Sequence, residues 1–318
     1  MDNELVSKVL VLENDPSHSQ AIRQFCKEHC LVALTVDKNH LLAVMRSNID
    51  LGAILIAENF AGDPEESLAI ARALHMARPE LPIILRRDTV ATLDDLPEAF
   101  QPIFSTAFVA DDMEVLGRAI DESLFSMVYP NALLRGIAEI TLPALESHFR
   151  GYSVTVDTPY IVRDRLTFGE IFSFIPLEST WCRGYMMLQT EEDPLLVVLN
   201  QKNENQEKTH FRTANNLIGE ITNLIWGAFK NRFIGDAAAD SGSTIQVPIV
   251  MNQKHGYVSF GAENPELCYR YTLTSENPAL TVVIYQRFSF NLQWSPEKFK
   301  EIEQEVAESI DTGELEMF

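Results

Sequence analysis

The residues with the clearest chemical potential lie in T-A-N-N-L-I-G-E-I-T-N-L-I-W-G-A-F-K-N-R, positions 213–232. Asn216, Glu220, Asn223 and Gly227 follow one another at spacings of four, three and four. On a helix those steps keep all four on one side. The stretch offers a carboxylate, which only accepts hydrogen bonds, one turn from a carboxamide, which donates and accepts. Gly227 keeps the surface beyond them low. A solvated polar face on an amphipathic helix explains the same spacing more simply, so the pattern gains meaning only from its surroundings.

The element that must hold these groups is a helix. Leu217, Ile221, Leu224, Ile225 and Ala228 recur with a helical period and form an apolar stripe fit to bury against a sheet. Thr213 is the expected N-cap, its hydroxyl accepting from the free N–H groups of the first turn.

Composition narrows the function classes. A chain of 318 residues suggests two domains, each large enough for its own core. With 46 acidic against 25 basic residues and a net charge of −21, its field repels phosphate, which argues against nucleic acid or an anionic membrane as partner. No apolar run reaches the roughly 20 residues that span a bilayer. The opening M-D-N-E-L-V-S-K lacks a signal-peptide pattern. Four cysteines do not make a disulfide framework in a chain this long. Cys26 and Cys30 beside His29 resemble half a metal site, but no second ligand pair follows at zinc spacing. These features predict a reduced, cytoplasmic protein with no metal and no cofactor of its own.

The first third alternates strand and helix. Apolar runs at 8–12, 31–36, 53–57, 83–85 and 106–110 are separated by helical patterns, the last over 113–125. That alternation predicts a doubly wound α/β unit over residues 1–126, its parallel sheet covered on both faces. Ligand sites in such sheets lie at the carboxyl ends of strands, which points to Glu13-Asn14-Asp15 and to positions 57–59. A break near Pro130 precedes a second unit, residues 131–318. It opens on a long amphipathic helix at 131–149 that Pro143 is expected to kink. Strands follow at 153–156, 170–177 and 181–189, while 195–200 fits a strand or a short helix. After the organising helix come strands at 245–250, 257–260, 270–274 and 280–288, then an acidic helix from Pro296. Helices around an antiparallel sheet make this unit α+β.

K-V-L-V-L-E-N-D-P-S-H and S-L-A-I-A-R-A-L-H-M-A-R-P-E-L-P-I-I resemble response-regulator receiver domains over roughly residues 6–125. The resemblance implies a flavodoxin-like fold. Phosphorylation in that family needs an acidic pair holding Mg²⁺, an acceptor Asp, a Thr or Ser, and a Lys. Here the acidic pair reads Glu13-Asn14, with Asp15 adjacent. The acceptor register offers Ala57, Glu58 or Asn59, Arg86-Arg87 replaces the hydroxyl, and no lysine follows the fifth strand. The first unit is thus expected to be a pseudo-receiver, a docking or dimerising module without phosphotransfer.

N-L-I-G-E-I-T-N resembles the signature of the CheC, CheX and FliY phosphatases, which remove phosphate from the receiver CheY. That signature reads Asp or Ser, then Glu four residues on and Asn three residues later, followed by a Pro. Asn216 stands at the Asp/Ser position, Glu220 and Asn223 match, and Pro248 falls a few residues late. Gly227 and the segment R-G-Y-M-M-L-Q match CheX-like sequences, and the single motif copy favours CheX over the two-copy CheC. The resemblance spans roughly residues 131–290. It implies an enzyme that hydrolyses the aspartyl phosphate of a CheY-like receiver. Asn223 would orient the water and Glu220 would pair with the partner's lysine, while Trp226 flanks the docking face. The partner would bring its own Mg²⁺. The family also implies a homodimer built by sheet pairing, with strands near 181–189 and 280–288 as edge candidates. The competing expectation is a non-catalytic signalling scaffold that uses both folds as binding surfaces.

Overall fold

The computed structural model describes residues 5–47, 50–163, 169–202, 210–235, 249–252, 264–276 and 280–302. In the first part, β1 (Val6–Leu12), β2 (Leu31–Thr35), β3 (Leu51–Ala57), β4 (Ile83–Arg87) and β5 (Thr106–Val109) pair in parallel in the order 2-1-3-4-5. The helices are α1 (Pro16–Glu28), α2 (Leu41–Ser47), α3 (Pro64–Ala77) and α4 (Glu114–Ser123). Leu41, Met45, Ala71 and Leu74 from α2 and α3 bury with Leu10, Ile54 and Leu85 on one face. Ile22, Phe25, Leu116 and Ile120 from α1 and α4 bury with Val9, Val11 and Leu55 on the other. This is the doubly wound arrangement that continuous apolar strands require. Asp15 caps α1, accepting from the N–H groups of Ser17 and His18 at 2.8 and 3.2 Å.

The second part opens with α5 (Asn131–His148), which runs unbroken through Pro143. Next come β6 (Ser153–Val156), β7 (Tyr160–Val162), β8 (Ile171–Glu178) and β9 (Cys182–Thr190). The stretch that fitted either strand or helix is α6 (Glu192–Lys202). The organising helix is α7 (Phe211–Phe229), followed by β10 (Ile249–Asn252), β11 (Glu266–Thr274) and β12 (Thr281–Trp294). Strands β10, β8, β9, β12 and β11 are neighbours in that order, all antiparallel. The expected strand at 257–260 lies outside the described residues, as does the chain beyond Ile302. Of the expected terminal helix over 296–310, the described residues show a 3-10 turn at Pro296–Lys298 and extended backbone at Phe299, and the remainder lies outside the described residues. The edge candidates for dimerisation need correcting. β9 lies between β8 and β12, and β12 lies between β9 and β11, so both are inner strands whose N–H and C=O groups are already paired.

One short strand joins the two parts. β7 pairs antiparallel with β11 through Tyr160–Val162 and parallel with β1 through Val6 and Ser7. Buried Ser7 Oγ donates to the Ile161 carbonyl at 2.8 Å. The result is one twelve-stranded mixed sheet. A single apolar cluster runs from Val9 and Phe25 through Leu133 and Ile161 to Ile225 and Phe288. Trp294 Nε1 donates to the Val128 carbonyl at 3.2 Å, and its ring lies 5.0 Å from Tyr129, so the linker between the parts packs on β12. Gly184 of β9 is buried where a Cβ would collide with the Ser289 carbonyl of β12, so only glycine fits that close approach.

Candidate functional site

α7 is held from behind. Ala214, Ile218, Ile221, Thr222, Ile225 and Phe229 are buried, and the helix packs on β8, β9, α5 and α6. Phe229 stacks between Trp226 and Phe288, with centroids 6.2 and 5.6 Å away. The Thr222 hydroxyl is satisfied by donating to the Ile218 carbonyl at 2.7 Å. α5 is in turn pinned to the sheet: Tyr269 donates to the Leu134 carbonyl at 2.9 Å, and Thr141 and Tyr271 donate to Gln286 Oε1 at 3.2 and 2.9 Å. At its end α7 passes into a π-turn, Lys230–Ile234, closed by Gly235 at φ 68°. Trp181 Nε1 donates to the Phe233 carbonyl there at 2.9 Å.

The buried face differs in phase from the sequence expectation. Leu224 is 47% exposed, and Leu217 and Ala228 are only half-buried. The small residues Ala214 and Thr222 take buried positions instead, because the helix sits close to its neighbours. Thr213 is not the N-cap. The helix starts at Phe211 with His210 as its cap, and Thr213 lies in the first turn, its N–H donating to the His210 carbonyl at 2.9 Å.

On the opposite side Asn216, Glu220 and Asn223 are all exposed, with Leu224 beside them. Among the described residues neither Glu220 nor Asn223 makes a side-chain hydrogen bond or ion pair. A Cβ built on Gly227 meets nothing within 4 Å, so the helix surface past Asn223 is open. Asn223 lies about 4.5 Å along the axis from Glu220 and Gly227 about 6 Å further. The side chain of Trp226 is half-buried against the core and only partly available at the rim. Pro248 lies outside the described residues. The arrangement is a rigid convex ridge carrying a carboxylate and a carboxamide with their hydrogen-bonding capacity unspent. A flat or grooved partner could meet both at once.

The strand-end corner of the first part is built differently. Arg86 and Arg87 do not follow β4 but belong to its last turn of pleat, and both are buried. Arg86 Nε donates to Glu13 Oε2 at 2.7 Å, with both side chains only 2% exposed. The same guanidinium bonds Asp88 and reaches Asn59 Oδ1 at 3.4 Å. Burial pushes the Arg86 pKa down, but the hydrogen bonds it donates to Glu13 and Asp88 outweigh that and hold the group above its ordinary value. Arg87 pairs with Glu58 and, at 2.8 and 2.7 Å, with both oxygens of Asp95. Asn14 donates to the Phe60 carbonyl, and Asp15 is spent on the α1 cap. The structure therefore brings Glu13, Asn59, Arg86 and Asp88 together, while Glu58 turns to Arg87 instead of joining them. Asp88, directly after β4, and Asp95, in the turn further on, are partners that sequence reasoning missed. Among the described residues no group of three His, Cys, Asp or Glu side chains could hold a metal ion, and no helix is long and apolar enough to cross a membrane. None of the four cysteines forms a disulfide, and burial pushes Cys26 and Cys182 up to about 12.

Comparison with solved structures finds matches that each cover part of the chain. A CheC-like superfamily protein from Shewanella sp. PV-4 aligns over 51% of this chain and 99% of its own, at 18% identity and a TM-score of 0.37. The chemotaxis protein CheX from Vibrio vulnificus aligns over 48% of this chain and 96% of its own, at 18% identity and a TM-score of 0.35. Over about half its length the chain is similar to CheC-like and CheX chemotaxis proteins. The receiver domain of the TMAO respiratory system response regulator TorR aligns over 36% of this chain and 92% of its own, at 14% identity and a TM-score of 0.30. No protein-family profile matches the chain. No curated protein matches it either.

Proposed function

We propose that this chain is a CheX-like phosphatase that accelerates hydrolysis of the aspartyl phosphate on a CheY-like response regulator. The observation that carries the reading is the joint exposure of Glu220 and Asn223, in register with the phosphatase signature, on a helix whose opposite face is locked in the core. An acyl phosphate is already activated, and its hydrolysis runs through a loose transition state in which aligning a water is most of the work. Asn223 is suited to that work because its amide donates and its carbonyl accepts, fixing a water in one orientation. Glu220, one turn earlier, pairs with the lysine of the partner's phosphorylation site and seats the ridge. Gly227 lets the partner surface approach the helix backbone. The partner supplies the Mg²⁺ that neutralises the phosphoryl oxygens.

The first part serves as a docking or regulatory module that does not accept phosphate. That reading is supported by the Arg86 guanidinium standing among Glu13, Asn59 and Asp88, where an acyl phosphate would need a bound cation. The test is decay of acyl phosphate on a panel of CheY-like receivers with wild-type, Glu220→Ala and Asn223→Ala proteins. The reading expects Glu220→Ala to raise the concentration needed for half-maximal decay, and Asn223→Ala to lower the maximal rate while leaving binding intact. A receiver that binds but decays at its intrinsic rate would favour the scaffold reading.

A further inference from the structure

Leu224 follows Asn223 directly and stands one turn after Glu220, yet it is left outside the core. It is 47% exposed, while Thr222 and Ile225, which bracket Asn223 and Leu224, are buried. Among the described residues the other large apolar side chain exposed on α7 is Phe211. That ring lies in the first turn, about 20 Å away along the axis, with the Arg212 guanidinium over it. An isolated exposed leucine is ordinary on a protein surface, so exposure alone carries nothing. The position of Leu224 carries the argument.

Glu220 divides the outer face of α7. Asn216 and Asn223, four before and three after it, stand on one side, and Leu217 and Leu224, three before and four after it, stand on the other. Leu217 is half-buried against the core, so Leu224 is the proud member of that apolar shoulder. Residues four apart on a helix have Cβ atoms about 5–6 Å from each other, and a helical leucine leans back over the turn before it. The isobutyl group of Leu224 therefore stands beside Glu220. On its far side the surface falls away, because Gly227 and Ala228 follow three and four positions on and a Cβ on Gly227 would meet nothing within 4 Å. A lysine arriving at Glu220 brings four methylenes as well as an ammonium. With the ammonium on the carboxylate, the carboxamide side offers that stem polar groups and the leucine side offers it apolar surface.

We infer that Leu224 is a positioning residue for docking, the seat on which the alkyl stem of the receiver's lysine lies while its ammonium reaches Glu220. The inference rests on the proposed docking of a receiver on α7, and it names the residue that sets the affinity of that contact. Lysine commonly buries its stem on apolar surface while its head meets charge. An ion pair on an open surface contributes little, and one from which neighbouring apolar groups exclude water contributes more.

The test titrates the full-length protein into a fluorescently labelled CheY-like receiver loaded with Mg²⁺ and beryllofluoride, read by anisotropy. Decay of the acyl phosphate is measured separately at saturation. Leu224→Ala should weaken binding about five- to tenfold, leave the saturated decay rate within about twofold and leave the Tm unchanged. Leu224→Met, which keeps an apolar side chain of similar size, should bind within about twofold of wild type. Leu292→Ala, at an exposed leucine of β12, should alter neither binding nor decay. On a receiver whose site lysine is changed to alanine, Leu224→Ala should cost less than about twofold, a coupling that a merely structural leucine would not produce. With the lysine present, binding of Leu224→Ala should fall more steeply with salt than binding of wild type, since a wetter pair is screened more. The inference is overturned if Leu224→Ala binds as wild type does, if it lowers saturated decay instead of affinity, or if its loss persists in full on the receiver lacking that lysine. A receiver that binds with the expected pattern but decays at its intrinsic rate overturns the phosphatase reading and upholds the seat. A panel in which no receiver binds the wild type overturns both.

Discussion

The strand-end corner of the first part and the ridge of α7 carry similar inventories of carboxylate and carboxamide, disposed in opposite ways. At the corner Glu13, Asn59 and Asp88 turn inward onto the buried Arg86, and Glu58 and Asp95 close on Arg87. On the ridge Glu220 and Asn223 turn outward, and among the described residues neither has a partner. Burying a charge without a counter-charge is costly, so a corner that receives no cation from outside is stable only if the chain brings its own. An exposed carboxylate carries no such cost and keeps its hydrogen-bonding capacity for a second molecule. One region has spent its polar chemistry on folding, and the other holds it in reserve.

The contrast breaks most readily at Arg86. Arg86→Met strips the cation from buried Glu13 and should destabilise the protein by about 3–5 kcal/mol in urea denaturation, whereas Glu220→Gln should stay within about 0.5 kcal/mol. Equal small losses would mean that the corner is solvated. A second test concerns which face of α7 is which. Ile225→Ala should cost about 2–5 kcal/mol and leave a cavity, while its neighbour Leu224→Ala should cost less than about 0.5 kcal/mol. Gly227→Ala has open space for its methyl group and should stabilise the helix by about 1 kcal/mol. On the proposed reading the same change weakens docking on the receiver, and a stabilised variant with undiminished activity would remove Gly227 from the interface.

The smallest effect is in acid. The Arg87 hydrogen bonds hold the Asp95 carboxyl down from 3.8 to about 2. A folded-state value below the unfolded one means that this pair stabilises the protein above about pH 4 and that the contribution is lost as pH falls toward 2. Asp95→Asn should flatten that part of the stability–pH curve without moving stability differences between pH 6 and pH 8, where both states of the wild type are ionised. An unchanged acid limb would place the titrating groups elsewhere.

The sequence made the larger plan legible because it is written in local patterns. Continuous apolar runs such as L-G-A-I-L-I-A announce strands buried on both faces, and the 3.6-residue period of 213–232 announces α7. The phase of that helix was harder to read. Hydropathy gives Leu224 to the core and Thr222 to solvent, but Thr222 satisfies its hydroxyl on the Ile218 carbonyl and buries, leaving Leu224 outside. β7 gave no signal at all. Tyr160 and Ile161, just behind Pro159, pair with Val6 and Ser7, more than 150 positions earlier, and nothing local encodes that partnership. The Arg86–Glu13 pair likewise joins residues 73 positions apart, so the sequence shows two mismatched charges and only the fold shows that they neutralise each other. Glu220 and Asn223, by contrast, were legible as a pair because a single helix turn relates them.

The account stands or falls on Asn223. Single-turnover decay of the acyl phosphate on a CheY-like receiver, followed with saturating wild-type protein and then with Asn223→Ala, isolates the chemical step from docking. The account predicts accelerated decay with wild type and a loss on the order of 100-fold with Asn223→Ala at unchanged receiver affinity. Decay that Asn223→Ala accelerates as well as wild type does, or that no receiver shows with either protein, would contradict it.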